Sequence, residues 1–264
     1  MNRISLPALA MLVAALIFLL GPFVVVFVAG FSGDETLAFP PKTYSWRWMA
    51  QVFTVDAFQR SFGTSLLVGL GSTFAALALG VPVAYALARP QGTGGLPGQE
   101  IVRTMLTLPL IVPGIIVGLA LLNHMVLVYN LPVLASLLVG HTALLVPYAV
   151  RVVSASLANL RADIDDAAVT LGATRAQAFF KVVLPNIRGG IAAAAVLAFI
   201  TSFNQVPVSL FLTGPGVSTL PIEMMAYMET SYDPSIAALS TILVIFTIVV
   251  VAATEKLLGI SKYV

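Results

Sequence analysis

Side chains able to carry covalent chemistry are scarce in this chain. Cysteine is absent, which excludes disulfides, thiolate metal sites and cysteine nucleophiles by counting. The two histidines, His124 and His141, stand apart, each inside an apolar run with no acid beside it. A catalytic site needs acids, bases and nucleophiles that converge, so neither a catalytic residue nor a metal site is expected. The polar residues that do cluster are of two kinds. Asp163, Asp165 and Asp166 open a polar stretch from Leu160 to Pro185, while Thr201, Ser202, Asn204 and Gln205 stand beside Pro207 in an apolar run. The first group can exchange charge with a macromolecule or with lipid headgroups. The second can offer hydrogen bonds to a solute, or to neighbouring helices with no transport role at all. His141 reads as a satisfied core histidine, with a pH response as the alternative, and Asn123 and His124 read as interfacial.

The elements that must position these groups follow from composition. The chain has 264 residues, 59% hydrophobic and 9% charged, against roughly 25% charged in soluble domains, so its solvent is lipid. Apolar runs of about 20 residues, enough to cross a hydrocarbon layer about 30 Å thick, lie near 7–30, 62–88, 104–126, 131–154, 188–209 and 236–258. The first, behind Arg3, is longer than the roughly 7–15 apolar residues of a cleavable signal. It reads as a retained helix, cleavage after Gly30 being the alternative. The expectation is an all-α membrane protein with six transmembrane helices in a single transmembrane domain over 1–264.

Lysine and arginine in short loops stay on the cytoplasmic side. With the N-terminus inside, that side holds Arg3, Arg89, Arg103, Arg151, Arg161, Arg175, Lys181, Arg188, Lys256 and Lys262, against Lys42, Arg47 and Arg60 outside. The acids split differently, with Asp34, Glu35, Asp56, Glu223, Glu229 and Asp233 outside against Glu100, Asp163, Asp165, Asp166 and Glu255 inside, and the basic residues predict both termini in the cytoplasm. The basic pI is a product of this topology and implies no nucleic-acid partner.

Between the runs, 31–60 mixes Pro40-Pro41 with Tyr44, Trp46, Trp48 and Phe53, and Ser45–Phe53 reads as a short interfacial helix. The stretch from Arg89 to Gly98, with Pro90, Gly92, Gly94, Gly95, Pro97 and Gly98, reads as a flexible inner turn. Pro82, Pro109, Pro113, Pro147 and Pro207 lie inside spans, where each frees a carbonyl that a neighbour or water must satisfy. Gly63, Gly69, Gly71, Gly80, Gly189, Gly190 and Ala192–Ala195 would let helix backbones approach closely. From Leu220 to Tyr232, Met224, Met225 and Met228 share one side of a short helix, which either caps the outer mouth or packs on the bilayer surface.

Leu160–Pro185 is too polar to cross. Its aspartates suit the first turn of a helix, Ile164, Ala168 and Leu171 fall on one face, and Gly172 can end the helix in a left-handed conformation. A second helix carries Ala176, Phe179 and Phe180, and Pro185 marks the entry to the fifth span. Two short helices joined at a glycine make a knuckle with an apolar face. It either fills a groove on a partner or lies on anionic headgroups, which Arg161, Arg175, Lys181 and Arg188 would also suit.

Asp166-Ala167-Ala168, then Gly172 and Val182-Val183-Leu184-Pro185, resemble the acidic-Ala-Ala, Gly, aliphatic-x-Leu-Pro signature of permease subunits of bacterial ATP-binding-cassette importers. Asp166 stands where that family usually has glutamate. Ser202-Phe203-Asn204-Gln205, Phe211–Gly216 and Thr219-Leu220-Pro221 resemble the polyamine-type branch, with amides where that branch carries acids. Together they cover roughly 60–258.

The resemblance implies a type I importer permease (MetI-like) architecture in a bacterial inner membrane. The knuckle would be the coupling helix that docks on an ATP-hydrolysing subunit through Asp166, Ala167, Ala168 and Gly172, with Leu184 and Pro185 fixing the helix that follows. The implied partners are two such ATPases, a second homologous permease and a periplasmic solute-binding protein, together with membrane lipid. The chain has no G-x-x-x-x-G-K-[ST] phosphate loop, so no cofactor is expected in it and ATP belongs to the partner. Apart from Glu255 at the inner end of the last span, no acid lies in the expected spans. Three readings stay open: a weakly recognising path fed by a selective binding protein, a zwitterionic or anionic substrate such as an aminophosphonate, or acids supplied by a partner permease. Thr201, Ser202, Asn204 and Gln205 are the candidates for pathway contact. A membrane-embedded enzyme and a proton-driven transporter are the rival classes, and both want titratable groups that the spans lack.

Overall fold

The computed structural model describes residues 5–89, 98–161 and 163–258. Arg3, Lys262 and the glycine-proline turn from Pro90 to Pro97 lie outside these residues. Among the described residues the chain is helical with no strand, its β-type pairing limited to isolated bridges at Ser32–Tyr44 and Gly214–Val217.

Helices α1 (Leu6–Gly30), α3 (Asp56–Ala88), α6 (Val133–Ala158) and α13 (Ser235–Leu258) follow the first, second, fourth and sixth apolar runs. Each is long and apolar enough to cross a membrane. At 1.5 Å per residue the 33 residues of α3 reach about 50 Å, well past a hydrocarbon layer of about 30 Å.

The third and fifth runs are broken. Helix α4 (Gln99–Ile111) stops at Val112, which is extended at φ −71° and ψ 131° because it precedes Pro113, and α5 (Gly114–Leu121) restarts and continues as a π-helix over Leu122–Val128. The two pieces are bent by 91°. Helix α10 (Arg188–Phe203) ends at Asn204, and Pro207 opens the short α11 (Pro207–Leu212). Counting each bent helix pair, Glu100–Pro109 with Gly114–Val128 and Arg175–Asn186 with Arg188–Phe203, as one span, the described residues hold up to six spans. Pro113 and Pro207 therefore sit at breaks, whereas Pro82, Pro109 and Pro147 lie inside continuous helices.

The chain divides into two compact units. One comprises residues up to Gln59 together with Glu223–Val249. Here the outer segment folds on itself: Gly33 N–H donates to the Thr43 carbonyl (2.8 Å), Asp34 accepts from Lys42 N–H (2.8 Å) and the Thr43 hydroxyl (2.9 Å), and Trp48 Nε1 donates to the Asp34 carbonyl (2.9 Å). The Lys42 amide and then the Thr43 hydroxyl hold the Asp34 carboxyl below its usual value. The interfacial helix forms as α2 (Arg47–Val52), with Trp48 buried against this loop and Tyr44 and Trp46 exposed.

The other unit comprises Arg60–Ile222 and the residues from Val250 on. Its core joins Val81, Ala84 and Leu87 of α3 to Val150, Val153 and Leu157 of α6, with Val183, Ile187 and Ala194. Small residues allow this closeness: a methyl added at Gly80 would lie 2.8 Å from the Ala149 Cβ, and one at Gly190 would lie 2.3 Å from the Ser156 side chain. Gly63 has open space at that position and makes no such approach.

Candidate functional site

The segment after α6 forms the knuckle. Helix α7 (Asp163–Thr170) carries three acids in its first turn, where they favour the free amides and the positive end of the helix dipole. It closes in a Schellman motif: Ala173 N–H donates to the Ala168 carbonyl (3.1 Å), Gly172 N–H donates to the Val169 carbonyl (2.9 Å), and Gly172 takes φ +93°. Only glycine adopts that backbone without strain. Helix α8 (Arg175–Ala178) opens with a capping box, Gln177 N–H donating to Thr174 Oγ1 (3.2 Å) and Thr174 N–H to Gln177 Oε1 (2.9 Å). The T-x-x-Q spacing at Thr174 was a legible start signal that the sequence reading passed over. A π-helix over Phe179–Val183 and the short α9 (Leu184–Asn186) then lead to a kink at Ile187, where the segment turns 71° into α10.

The docking residues expected from sequence separate by exposure. Asp166, Ala167, Gly172 and Pro185 are exposed, and Ala168 and Leu184 are half-buried. Leu171, expected on one apolar face with Ile164 and Ala168, is 90% exposed at the tip, whereas Ile164 and Ala168 are half-buried. Phe180 is exposed too, whereas Phe179 packs at 4.8 Å from the Tyr85 ring. Asp166 pairs loosely with Arg175 at 3.6 Å, both in solvent. Arg161 binds Asp163 with two hydrogen bonds, which hold the Asp163 carboxyl below its usual value and raise Arg161.

The inward group is Asp165, whose side chain is 5% exposed. The Tyr85 hydroxyl donates to its Oδ2 at 3.0 Å, and Arg89 Nε lies 3.7 Å from the same oxygen. Arg89 Nη2 also donates to the carbonyls of Leu160 (2.7 Å), Arg161 (3.2 Å) and Leu157 (3.4 Å) at and just beyond the end of α6. Sequence reasoning grouped the three aspartates together and counted Arg89 only for topology. Tyr85 and Arg89 stand four apart on one helical face, but their partner is 80 residues further along for Tyr85, beyond any local pattern.

The polar group at the end of α10 is not one uniform surface. Ser202 is buried, its hydroxyl 2.8 Å from His141 Nδ1, and His141 Nε2 lies 3.0 Å from the Ser209 hydroxyl. His141 is thus hydrogen-bonded at both ring nitrogens. Asn204 is exposed and returns its amide to the Ile200 carbonyl (3.0 Å), while Thr201 and Gln205 are half-buried. The segment Leu220–Tyr232 contains α12 (Leu220–Thr230), with Met225 and Met228 exposed and Met224 and Glu223 half-buried.

Residues 76–259, which include the knuckle and both broken spans, match the family described as the inner membrane component of binding-protein-dependent transport systems. The chain belongs to this family of permeases. It is 30% identical over 232 residues to the putrescine transport system permease PotI of Escherichia coli K12, covering 86% of this chain and 81% of that one. It is 27% identical over 234 residues to the spermidine/putrescine permease PotC of the same strain, covering 89% and 87%. The permease fold is shared with a bacterial transporter that imports the acidic polysaccharide alginate (TM-score 0.70, 18% identity, 94% of this chain and 93% of that one). It is shared also with the MetNI methionine transporter (TM-score 0.64, 22% identity, 76% and 94%). This permease is therefore a multi-pass membrane component of an ATP-binding-cassette importer of the binding-protein-dependent type, from the branch that contains polyamine permeases.

Proposed function

We propose that this permease moves a polyamine or related organic amine from a periplasmic binding protein into the cytoplasm, driven by two ATPase subunits and paired with a second permease. The observation that carries the reading is the exposed tip of the knuckle. Asp166 and Ala167 along α7, and Leu171 and Gly172 at its end, face solvent, while the first turn is held by Asp165. An apolar tip beside a carboxylate is costly to leave in water and suited to a cleft on a partner. Asp166, Ala167, Ala168 and Gly172 dock there, and Leu184 and Pro185 set the entry to α10. This placement puts the knuckle and both termini in the cytoplasm, with α4 and α5 together serving as the third of six spans and α10 leading from the knuckle into the fifth.

The amine reading is supported by the putrescine and spermidine/putrescine permeases among the relatives. Asn204 and Gln205 offer dipoles where a strong cation site would need carboxylates or an aromatic cage, so selectivity rests with the binding protein, and Thr201, Asn204 and Gln205 serve a weakly recognising path while Ser202 is held by His141. The amides at 204 and 205 keep a second class, zwitterionic aminophosphonates or other small organic ions, as the competing substrate. Nucleotide closes the ATPases, the paired knuckles move together, the outward-open state gains population and the loaded binding protein releases its ligand.

Affinity purification from the native membrane, with mass spectrometry and an ATPase assay on what co-purifies, tests the assembly. Recovery of a P-loop ATPase and a second permease is expected, followed by uptake of radiolabelled putrescine into proteoliposomes. Recovery of this chain alone in mild detergent would overturn the docking role, and uptake of aminophosphonate with no uptake of putrescine would overturn the substrate.

A further inference from the structure

We propose that Asp165, Arg89 and Tyr85 form the joint through which movement of the knuckle reaches the membrane helices, an inference that rests on 163–187 being the ATPase-docking segment. Four stretches of chain converge on one carboxylate. Tyr85 and Arg89 come from α3 and the residue just after it, Asp165 from the first turn of α7, and the Tyr85 ring is held by Phe179 of the segment returning to α10. Arg89 adds the fourth contact by capping the carbonyls at the end of α6.

Burial gives this convergence its stiffness. Asp165 and Arg89 side chains are 5% and 14% exposed, whereas the ion pairs Arg161–Asp163 and Arg175–Asp166 on the same knuckle are more than half exposed at every member. Exposed pairs are screened and fix little. Separating the buried pair strands a charge in a poorly solvated site, a far larger penalty. Helix α7 is thus tied to the inner ends of α3 and α6, and a push on its exposed tip is a push on both.

The joint is also incompletely closed. Asp165 Oδ1 and Arg89 Nε are buried without a hydrogen-bond partner, and the pair stands at 3.7 Å. That exceeds the normal N–H···O range of about 2.7–3.2 Å. A shift of roughly 0.5–1 Å would let Nε donate to the carboxylate while Nη2 keeps its backbone carbonyls. The joint therefore has a loose and a tight arrangement, the kind of two-state contact through which distant sites are coupled. Asp165, Arg89 and Tyr85 are positioning residues. None of them meets nucleotide or solute in this role.

The test uses the assembled transporter and needs no assumption about the solute. The chain lacks cysteine, so Asn204→Cys serves as a single reporter whose maleimide labelling is timed with and without ATP and vanadate. In the otherwise native chain, nucleotide trapping is expected to change the labelling rate about fivefold or more, the low end of the usual coupling range. Tyr85→Phe, which keeps the packing and removes one hydroxyl, should at least halve that change. Asp165→Asn should abolish it while trapped ADP still forms, and Arg89→Lys, which keeps the charge but loses the fork, should fall between.

A full labelling change in both Tyr85→Phe and Asp165→Asn overturns the joint and leaves the docking reading intact. Loss of trapping in parallel with loss of the labelling change also overturns it, because the cluster would then only hold the complex together. Should Asp165→Asn fail to assemble, Tyr85→Phe decides alone. Absence of trapped nucleotide in the native complex removes the docking reading, and the inference falls with it.

Discussion

His141 Nδ1 lies 2.8 Å from the Ser202 hydroxyl, and its Nε2 lies 3.0 Å from the Ser209 hydroxyl, so one imidazole ties α6 to both α10 and α11. A neutral imidazole has one donor and one acceptor, so one serine must donate and the other accept. Ser202→Ala should lower stability by about 1 kcal/mol, within the range of hydrogen bonds inside membrane bundles. Asn204→Ala, which loses a bond only to its own helix, should leave melting unchanged. Thermal unfolding in detergent distinguishes the two, and equal effects would refute the special standing of the histidine bridge.

Gly172→Val should reduce uptake at least tenfold with little loss of assembled membrane helices. A methyl at Gly172 meets nothing within 4 Å, but φ is +93°. The cost is therefore backbone strain, which for a β-branched residue disrupts the turn between α7 and α8. Uptake in proteoliposomes set against helical content checks this, and native uptake would mean that the knuckle is not a docking element.

Gly190→Leu should prevent packing of α10 on α6, because even a methyl there would lie 2.3 Å from the Ser156 side chain. Overpacking typically costs about 1–3 kcal/mol and more where backbone must move. The yield of monodisperse protein after extraction should fall sharply, and Gly190→Leu combined with Ser156→Gly should recover part of it. Gly63→Leu, at open space, should be tolerated.

Single cysteines report topology without removing any native thiol. With the knuckle inside, Thr174→Cys should react with an impermeant maleimide only after the membrane is opened, and Tyr44→Cys should react in intact spheroplasts. Both positions are exposed. The reverse pattern would invert the proposed orientation.

The Arg161–Asp163 pair should add no pH dependence to stability near neutral pH. Arg161 depresses the Asp163 carboxyl, so whatever the pair contributes is present above the ordinary carboxylate value and is lost only as pH falls through the lowered one. Both side chains are largely exposed, so the contribution is small. Melting of Asp163→Asn should lie below that of the native chain by a small, constant amount from pH 8 to pH 5, the two curves converging only in more acidic solution.

Much of this architecture is legible because lipid imposes simple demands. A run such as Leu6–Gly30 has nowhere to satisfy its backbone except within itself, so apolar length alone announces a helix. Gly172 was legible for a local reason, since a helix stop beside a polar stretch calls for a left-handed residue. The breaks at Val112 and Asn204 were less so. Several prolines lie in the spans, and sequence alone does not say which will open a helix and which, like Pro82 and Pro147, will be carried inside one. Neighbouring packing makes that choice, as where α11 lies against α5 with Phe211 beside Gly118.

Sequence by itself determined the solvent, the helical class, the knuckle and its signature, because each is written in composition or in spacings of a few residues. Tertiary structure decided which of three adjacent aspartates turns inward. Asp163, Asp165 and Asp166 carry the same charge, and the helix period alone does not rank them. Asp165 is the buried one because Tyr85 and Arg89 arrive from a distant part of the chain with a hydroxyl and a guanidinium to meet it. Likewise Ser202 became a bridge partner because α6 sets His141 beside it. Pairings of this range exist only after the helices have packed, since the free energy of burying a polar group depends on what else is buried with it.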